Sequence, residues 1–281
     1  MNRPTHATPG GHAYLELQRR ARVERVGTQE LLVWYVHERF LYRLSRSRYR
    51  DHLILKGGML LVAFEARRAT QDIDLLGRRI PNDEPAVSGM VAEIARIEVP
   101  DGVEFAVDQI ATATIRDDAT YGGVRITMPA MVDRAKILLR VDLSVGDPVT
   151  PAPIEVHYPS LLDSSFTLRG YPIATVLAEK IVTLIERGDT NTRERDVADI
   201  VMLARRNRPS DGELIAAITA TAAHRHAELR PVAEAVKSLG ELRQRSWEVF
   251  LERAGLIGRV PERYQAALDE VATLVDPLLA T

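Results

Sequence analysis

Leu55-Lys56-Gly57-Gly58, then an apolar stretch, then Arg68-Ala69-Thr70-Gln71-Asp72-Ile73-Asp74-Leu75-Leu76: this run sets the fold. The apolar residues Leu53 to Leu55 lead into the Gly-Gly pair, and Met59 to Phe64 follow as helix formers. The order predicts strand, glycine turn, helix, strand. Side chains two apart on a strand share a face. Asp72 and Asp74 therefore project together, and Ile73 points the other way into a core. Two carboxylates on one face repel unless a cation lies between them. Mg²⁺ (or Mn²⁺) suits such a pair, because it takes one or two protein carboxylates and completes its octahedron with water and substrate phosphates. The glycines let the backbone approach a phosphate, and the N–H groups that open a helix favour an anion. An acidic pair of this kind also occurs at a solvated strand end; Lys56, Gly57 and Gly58 ahead of it point to phosphate chemistry.

A third acid stands out downstream. Ile137 to Asp147 is apolar and β-branched but contains Asp142. An acid inside an apolar strand costs several kcal/mol unless it is paired, protonated or on metal. Placement beside Asp72 and Asp74, as a third metal ligand or as base for an incoming hydroxyl, gives Asp142 a reason to be there.

Around this centre, residues 12–26 read as a helix, and a second runs from 29 to about 45 with Thr28 as its cap. Pro81 opens a third, to about Arg96. Val103, Phe105 and Val107 alternate as a strand does, as do Ile110, Thr112 and Thr114, and again Val124, Ile126 and Met128, with Pro129 as the stop. Asp117-Asp118 and Tyr121-Gly122-Gly123 mark a loop and hairpin, and Met131 to Lys136 a turn or short helix. Prolines 148, 151, 153 and 159 punctuate an irregular crossing that reads as a domain junction. From Pro172 onward the chain is helical: Thr175 to Arg187, Thr192 to Arg205 with Thr192 as cap, then 211–228, 231–254 and 261–280.

The 281 residues allow one large or two modest domains. Cysteine is absent, which excludes disulfides and thiolate chemistry. No apolar run of about 18 residues is present, so no membrane helix is expected, and the polar start lacks the apolar core of a signal peptide. A soluble cytoplasmic protein is the expectation. The net charge of −2 hides an asymmetry: residues 1–80 hold 15 basic and 8 acidic side chains, +7, and the remainder carries −9. Arg19, Arg20, Arg22 and Arg25 crowd one segment, and Arg39, Arg43, Arg46, Arg48 and Arg50 the next. Such clusters bind nucleic-acid backbone, or belong to ordinary arginine-rich surface helices.

Three blocks resemble the AbiEii-type toxin nucleotidyltransferases, the toxin half of bacterial toxin–antitoxin and phage-defence pairs, which include the mycobacterial MenT toxins. The first is Leu55-Lys56-Gly57-Gly58 through Asp72-Ile73-Asp74-Leu75. The second is Val141-Asp142 through Gly146-Asp147 to Pro151. The third is Tyr171-Pro172, Thr175 through Glu179-Lys180, and Asn191 through Asp196 to Asp199. Together they span roughly residues 50–205. The chain departs from the family pattern at Thr70, Ala174 and Arg195, where the family carries a Ser, an acid and a Lys.

The resemblance implies an α/β (α+β) nucleotidyltransferase domain with a mixed sheet over residues 1–165, an all-helical domain over 166–281, and an active site in the cleft between. It implies transfer of a nucleoside monophosphate from an NTP, with tRNA as acceptor at its 3′ end, so that translation stops and growth is inhibited. An antitoxin encoded nearby is the implied partner. Asp72, Asp74 and Asp142 would hold metal. Lys56, Gly57, Gly58, Arg68, Thr70, Lys180 and Asp199 would contact the nucleotide, and Asp196, catalytic with Lys180, would orient that lysine or itself contact the nucleotide. Lys180 lies inside an apolar helix face, where an ammonium needs an anionic partner; a phosphate supplies one, and so would Glu179 or Asp196. Two other functions fit the same residues: transfer to a protein or small-molecule hydroxyl, and a non-catalytic NTP-binding partner protein.

Overall fold

A computed structural model describes residues 3–115 and 122–280. The chain divides into two compact units, Met1–Ala63 with Ala69–Gly146 and Glu155–Gly170, and Phe64–Arg68 with Asp147–Ile154 and Tyr171–Thr281. Compared with a boundary at 165, the first unit extends to Gly170, and two short upstream segments belong to the second.

The first unit opens with helices α1 (Pro9–Glu24) and α2 (Thr28–Ser45). Thr8 caps α1, its side chain accepting from the Gly11 N–H. Gly27, not Thr28, occupies the cap of α2 and offers no side-chain acceptor. Strand β1 (Leu53–Lys56) leads into the one-turn helix α3 (Gly57–Leu60), a 3₁₀ turn over Leu61–Phe64, and strand β2 (Ile73–Gly77). Helix α4 (Glu84–Ala95) starts later than Pro81, because the Asp83 carboxylate accepts from the Ala86 N–H and fixes the start there. Then come β3 (Val103–Phe105), β4 (Ala111–Ile115), β5 (Gly123–Val132), β6 (Ala135–Val145), β7 (Ile154–Tyr158) and β8 (Phe166–Gly170). The hairpin expected at Asp117, Asp118 and Tyr121 lies outside the described residues.

The eight strands form one mixed sheet in the order β3-β5-β6-β2-β1-β8-β7, with β4 also on β5. The centre is β2, antiparallel to β1 and parallel to β6. Strand β5 runs through Pro129 instead of ending there. One edge of β5 pairs with β6 throughout, and its other edge pairs with β4 up to Thr127 and with β3 from Ala130. Pro129 falls in the gap between these two partners, where a missing N–H costs no ladder bond. Residues 131–136, read as a turn or helix, are the ends of β5 and β6 around a turn at Asp133 and Arg134.

One face of β6 carries Ile137, Leu139, Val141 and Leu143, all buried. Helix α2 packs on the sheet with Leu31, Leu32, Phe40, Leu41 and Leu44 buried. The other face of β6 carries Lys136, Leu138, Arg140 and Asp142.

The arginine cluster of α2 behaves unlike a surface patch. Arg39 and Arg43 are buried: Arg39 pairs with Glu38 at 2.9 Å and Asp163 at 2.7 Å, and Arg43 with Asp101 at 2.6 Å. These two guanidiniums are structural, each held by an acid far along the chain, Asp163 or Asp101, with Glu38 also on Arg39. Arg19, Arg22 and Arg25 on and beside α1 remain exposed.

The second unit is chiefly helical: α5 (Ile173–Arg187), α6 (Glu194–Arg206), α7 (Asp211–Arg225), α8 (Val232–Ala235), α9 (Leu239–Ala254) and α10 (Tyr264–Leu279). Thr192 does not cap α6. The preceding chain forms a 3₁₀ turn over Gly188–Thr190, and the Asn191 side chain accepts from the Arg193 N–H. Ser210 and Glu213 form a reciprocal capping box on α7. The stretch 231–254 is two helices, broken between Ala235 and Leu239.

Candidate active site

In the first unit, sheet register builds a row of charges. Lys56 stands opposite Asp74, Asp74 opposite Asp142, and Asp142 opposite Arg125. Registered partners point to the same face of a sheet, so four strands deliver these four side chains to one line. Asp72, two residues before Asp74, joins them from the entry to β2. The pleat sends Ile73 and Leu75 into the core, fully buried, while Asp72 and Asp74 stay half-buried.

Local contacts shape the row. The Thr70 hydroxyl donates to Asp72 Oδ1 at 3.1 Å. Gly57 has φ +65°, and a Cβ there would lie 1.8 Å from Asp74 Oδ2. Its lack of a side chain thus admits the Asp74 carboxylate against the turn. The helix after it is a single turn, so its dipole is small, and the anion-favouring helix start expected from sequence is correspondingly weak. Gly58 is buried in that turn.

Arg125 was not singled out by the sequence. Its Nε donates to Asp142 Oδ1 at 2.8 Å and its guanidinium donates to Oδ2 at 2.6 Å. Both oxygens of Asp142 are therefore in use. Among the described residues, no three histidine, aspartate or glutamate side chains converge as a ready-made metal-ligand set. Asp142 stands as the partner of a guanidinium, not as the third member of an open carboxylate cluster. Asp72 and Asp74 still present hard oxygen donors on one face, and these fit Mg²⁺, which needs only one or two carboxylates.

The second unit gathers the other sequence candidates. Lys180 on α5 lies 2.7 Å from Asp196 and 2.9 Å from Asp199, both on α6. Arg68 forks onto Asp199 at 2.7 and 2.9 Å. Asp199 is completely buried. Burial alone would raise its pKa, but the Lys180 and Arg68 charges outweigh this and leave it below the usual carboxylate range. Burial pulls Lys180 down, and Asp196 and Asp199 more than reverse that, so its pKa is raised. The anionic partner that Lys180 requires is thus supplied by the protein's own acids, and two cations face two anions.

The Nucleotidyl transferase AbiEii toxin family, of type IV toxin–antitoxin systems, has a sequence profile that matches residues 39–274. No curated protein sequence matches the chain. Solved structures share the fold at low identity. MenT4, a nucleotidyltransferase toxin from Mycobacterium tuberculosis H37Rv, is 16% identical, with TM-score 0.53 over 96% of this chain and 98% of that one. JHP933 from Helicobacter pylori is 15% identical, with TM-score 0.51 over 85% of this chain and 89% of that one. The profile covers most of the sequence, including the charged row from Lys56 to Arg125 and the network around Lys180, and on that ground the chain belongs to the AbiEii nucleotidyltransferase toxin family.

Proposed function

We propose that this protein transfers a nucleoside monophosphate from an NTP to the 3′ end of tRNA, with Mg²⁺ or Mn²⁺ at Asp72 and Asp74, and so blocks translation in the cytoplasm. The observation that carries this reading is the parallel register of Asp74 with Asp142, which sets two acids side by side on the face that also bears Asp72. A divalent cation held there would neutralise charge on the triphosphate. Asp72 and Asp74 bind it, and the Thr70 hydroxyl steadies the Asp72 carboxylate. Gly57 gives Asp74 room at the turn. Once freed from Arg125, Asp142 is placed to serve the same cation, as a third ligand or by taking the proton of a hydroxyl that the cation holds. Lys56, opposite Asp74, offers a cation to the phosphates.

RNA as acceptor is supported by the exposed Arg19, Arg22 and Arg25 at α1. The family also points to a cognate antitoxin as partner. No described helix is long and apolar enough to cross a membrane.

The test is incubation of the protein with each labelled NTP, total tRNA and Mg²⁺. Label on tRNA, lost on chelation and in Asp74→Asn, is the expected result. Label on protein or on a small molecule, with tRNA unlabelled, would replace the tRNA acceptor. No transfer to any acceptor would reject the reading.

A further inference from the structure

We propose that Arg125 is a positioning residue that stands in for a cation at Asp142 and has to release that carboxylate before Asp142 can serve a bound divalent ion. This rests on the metal-dependent reading above. Both Asp142 oxygens are held by the guanidinium fork, at 2.8 and 2.6 Å. A carboxylate so engaged cannot give an oxygen to another cation without losing a charge-assisted bond.

The row also supplies the reason for the fork. Asp74 is in register beside Asp142, and Asp72 enters the same face. Without a cation, these acids repel one another. Arg125 answers that charge at one end of the row as Lys56 does at the other. Hydrogen bonds to Asp142 and its charge raise the Arg125 pKa, and the fields of Asp72 and Asp74 add to this. The guanidinium thus feels all three acids while touching one.

The pair is not needed to join its strands. β5 and β6 are paired continuously from Val124 opposite Leu143 to Val132 opposite Ala135. The Arg125 side chain is 47% exposed and Asp142 only 16%. The cation can therefore swing into solvent while the acid stays in place. A bound triphosphate would offer the released planar guanidinium bidentate anionic partners.

The experiment is a Mn²⁺ titration of the NTP-free protein, followed by the loss of the free-ion paramagnetic resonance signal. It compares the wild type, Arg125→Gln, Arg125→Lys, Asp74→Asn, Asp142→Asn and the double variant Arg125→Gln/Asp142→Asn. Arg125→Gln is expected to bind Mn²⁺ about two- to five-fold tighter, the range set by removing one half-exposed ion pair. Arg125→Lys, which keeps the charge and loses the fork, should fall between it and the wild type. In the Asp142→Asn background, Arg125→Gln should have a much smaller effect, because the fork to Asp142 is already gone and only the longer-range charge remains. Unchanged or weaker binding by Arg125→Gln, with wild-type binding that depends on Asp74, would overturn the role of Arg125 alone. No Mn²⁺ binding by any of the proteins would overturn the metal reading and this inference with it. Thermal midpoints of all variants, unchanged for Arg125→Gln and Arg125→Lys, show that binding differences are not unfolding.

Discussion

The Asp74 carboxylate occupies the space that a side chain on Gly57 would need: a Cβ there would meet Asp74 Oδ2 at 1.8 Å. Gly57→Ala therefore adds a steric conflict to a left-handed backbone position, φ +65°, which itself costs about 1–3 kcal/mol for a non-glycine residue. Displacement of a reacting group by an ångström costs about 100-fold in rate, and a loss of that size is expected for nucleotidyl transfer. Gly89→Ala is the control. It lies exposed within α4 with nothing near its Cβ position, and alanine should stabilise it by about 0.5–1 kcal/mol. Thermal unfolding and transfer assays on both variants check the pair.

Asp74→Asn should separate chemistry from folding. The side chain is half-buried beside Asp142, and the neutral amide keeps its shape. Expression from a tightly repressed promoter should arrest growth with the wild type and not with this variant. The purified variant should unfold within about 1 kcal/mol of the wild type, as expected for a substitution outside the core. Equal arrest by both proteins would remove the acidic row from the toxic act.

Lys180→Met should be severely destabilising. It strips Asp196 and Asp199 of their shared cation and leaves the two buried carboxylates with Arg68, on Asp199, as the close guanidinium, a change worth about 3–5 kcal/mol. Arg205→Ala, which breaks an exposed pair with Glu270, should cost under about 1 kcal/mol. Denaturant unfolding of the two variants measures the contrast. The same network sets an acid limit. The Asp199 pKa is lowered in the fold, so its contribution is complete above the ordinary value of 3.8 and is lost as pH falls through the lower folded value. The Lys180 pKa is raised, so its contribution is complete below 10.5 and is lost only at higher pH.

His37 imposes a separate pH dependence. It is fully buried on α2, and neither ring nitrogen makes a well-formed hydrogen bond. Burial lowers its pKa to about 4, against an upward pull from the Val33 backbone, while the charge of Arg140 adds to the fall. Below pH 6.5 the unfolded chain takes up a proton that the folded one refuses, so stability falls as pH drops from 6.5 towards 4. The full loss is about 3 kcal/mol, since each tenfold change in proton affinity is worth about 1.4 kcal/mol. In a titration followed by nuclear magnetic resonance, the His37 ring should remain neutral at pH 5.5. His37→Phe should flatten the stability profile between pH 6.5 and 5.

What the sequence disclosed follows from distance along the chain. The alternation Asp72-Ile73-Asp74 and the turn at Gly57 are local, and they were legible as strand and glycine turn. Arg125 was not, although Val124, Ile126 and Met128 put it on the polar face of its strand. Its partner depends on the two-residue turn at Asp133 and Arg134, which fixes Arg125 opposite Asp142. With residues 131–136 read as a turn or helix, that register could not be counted. The need of Lys180 for an acid was visible; that Asp199 also takes Arg68, from 131 residues upstream, was not. Strands β7 and β8 were hidden by the prolines at 151, 153 and 159, and the burial of Arg39 and Arg43 by acids distant in sequence.

That 131-residue separation has a consequence during synthesis. Arg68 leaves the ribosome well before Asp199 is made. At about 5–20 residues per second, the delay is roughly 7–26 s. For that interval the guanidinium lacks the acid it will finally grip. A nascent chain stopped before α6 would carry the whole acidic row and the cations Arg68 and Lys180 but neither Asp196 nor Asp199, so the two charge clusters of this toxin mature at different times.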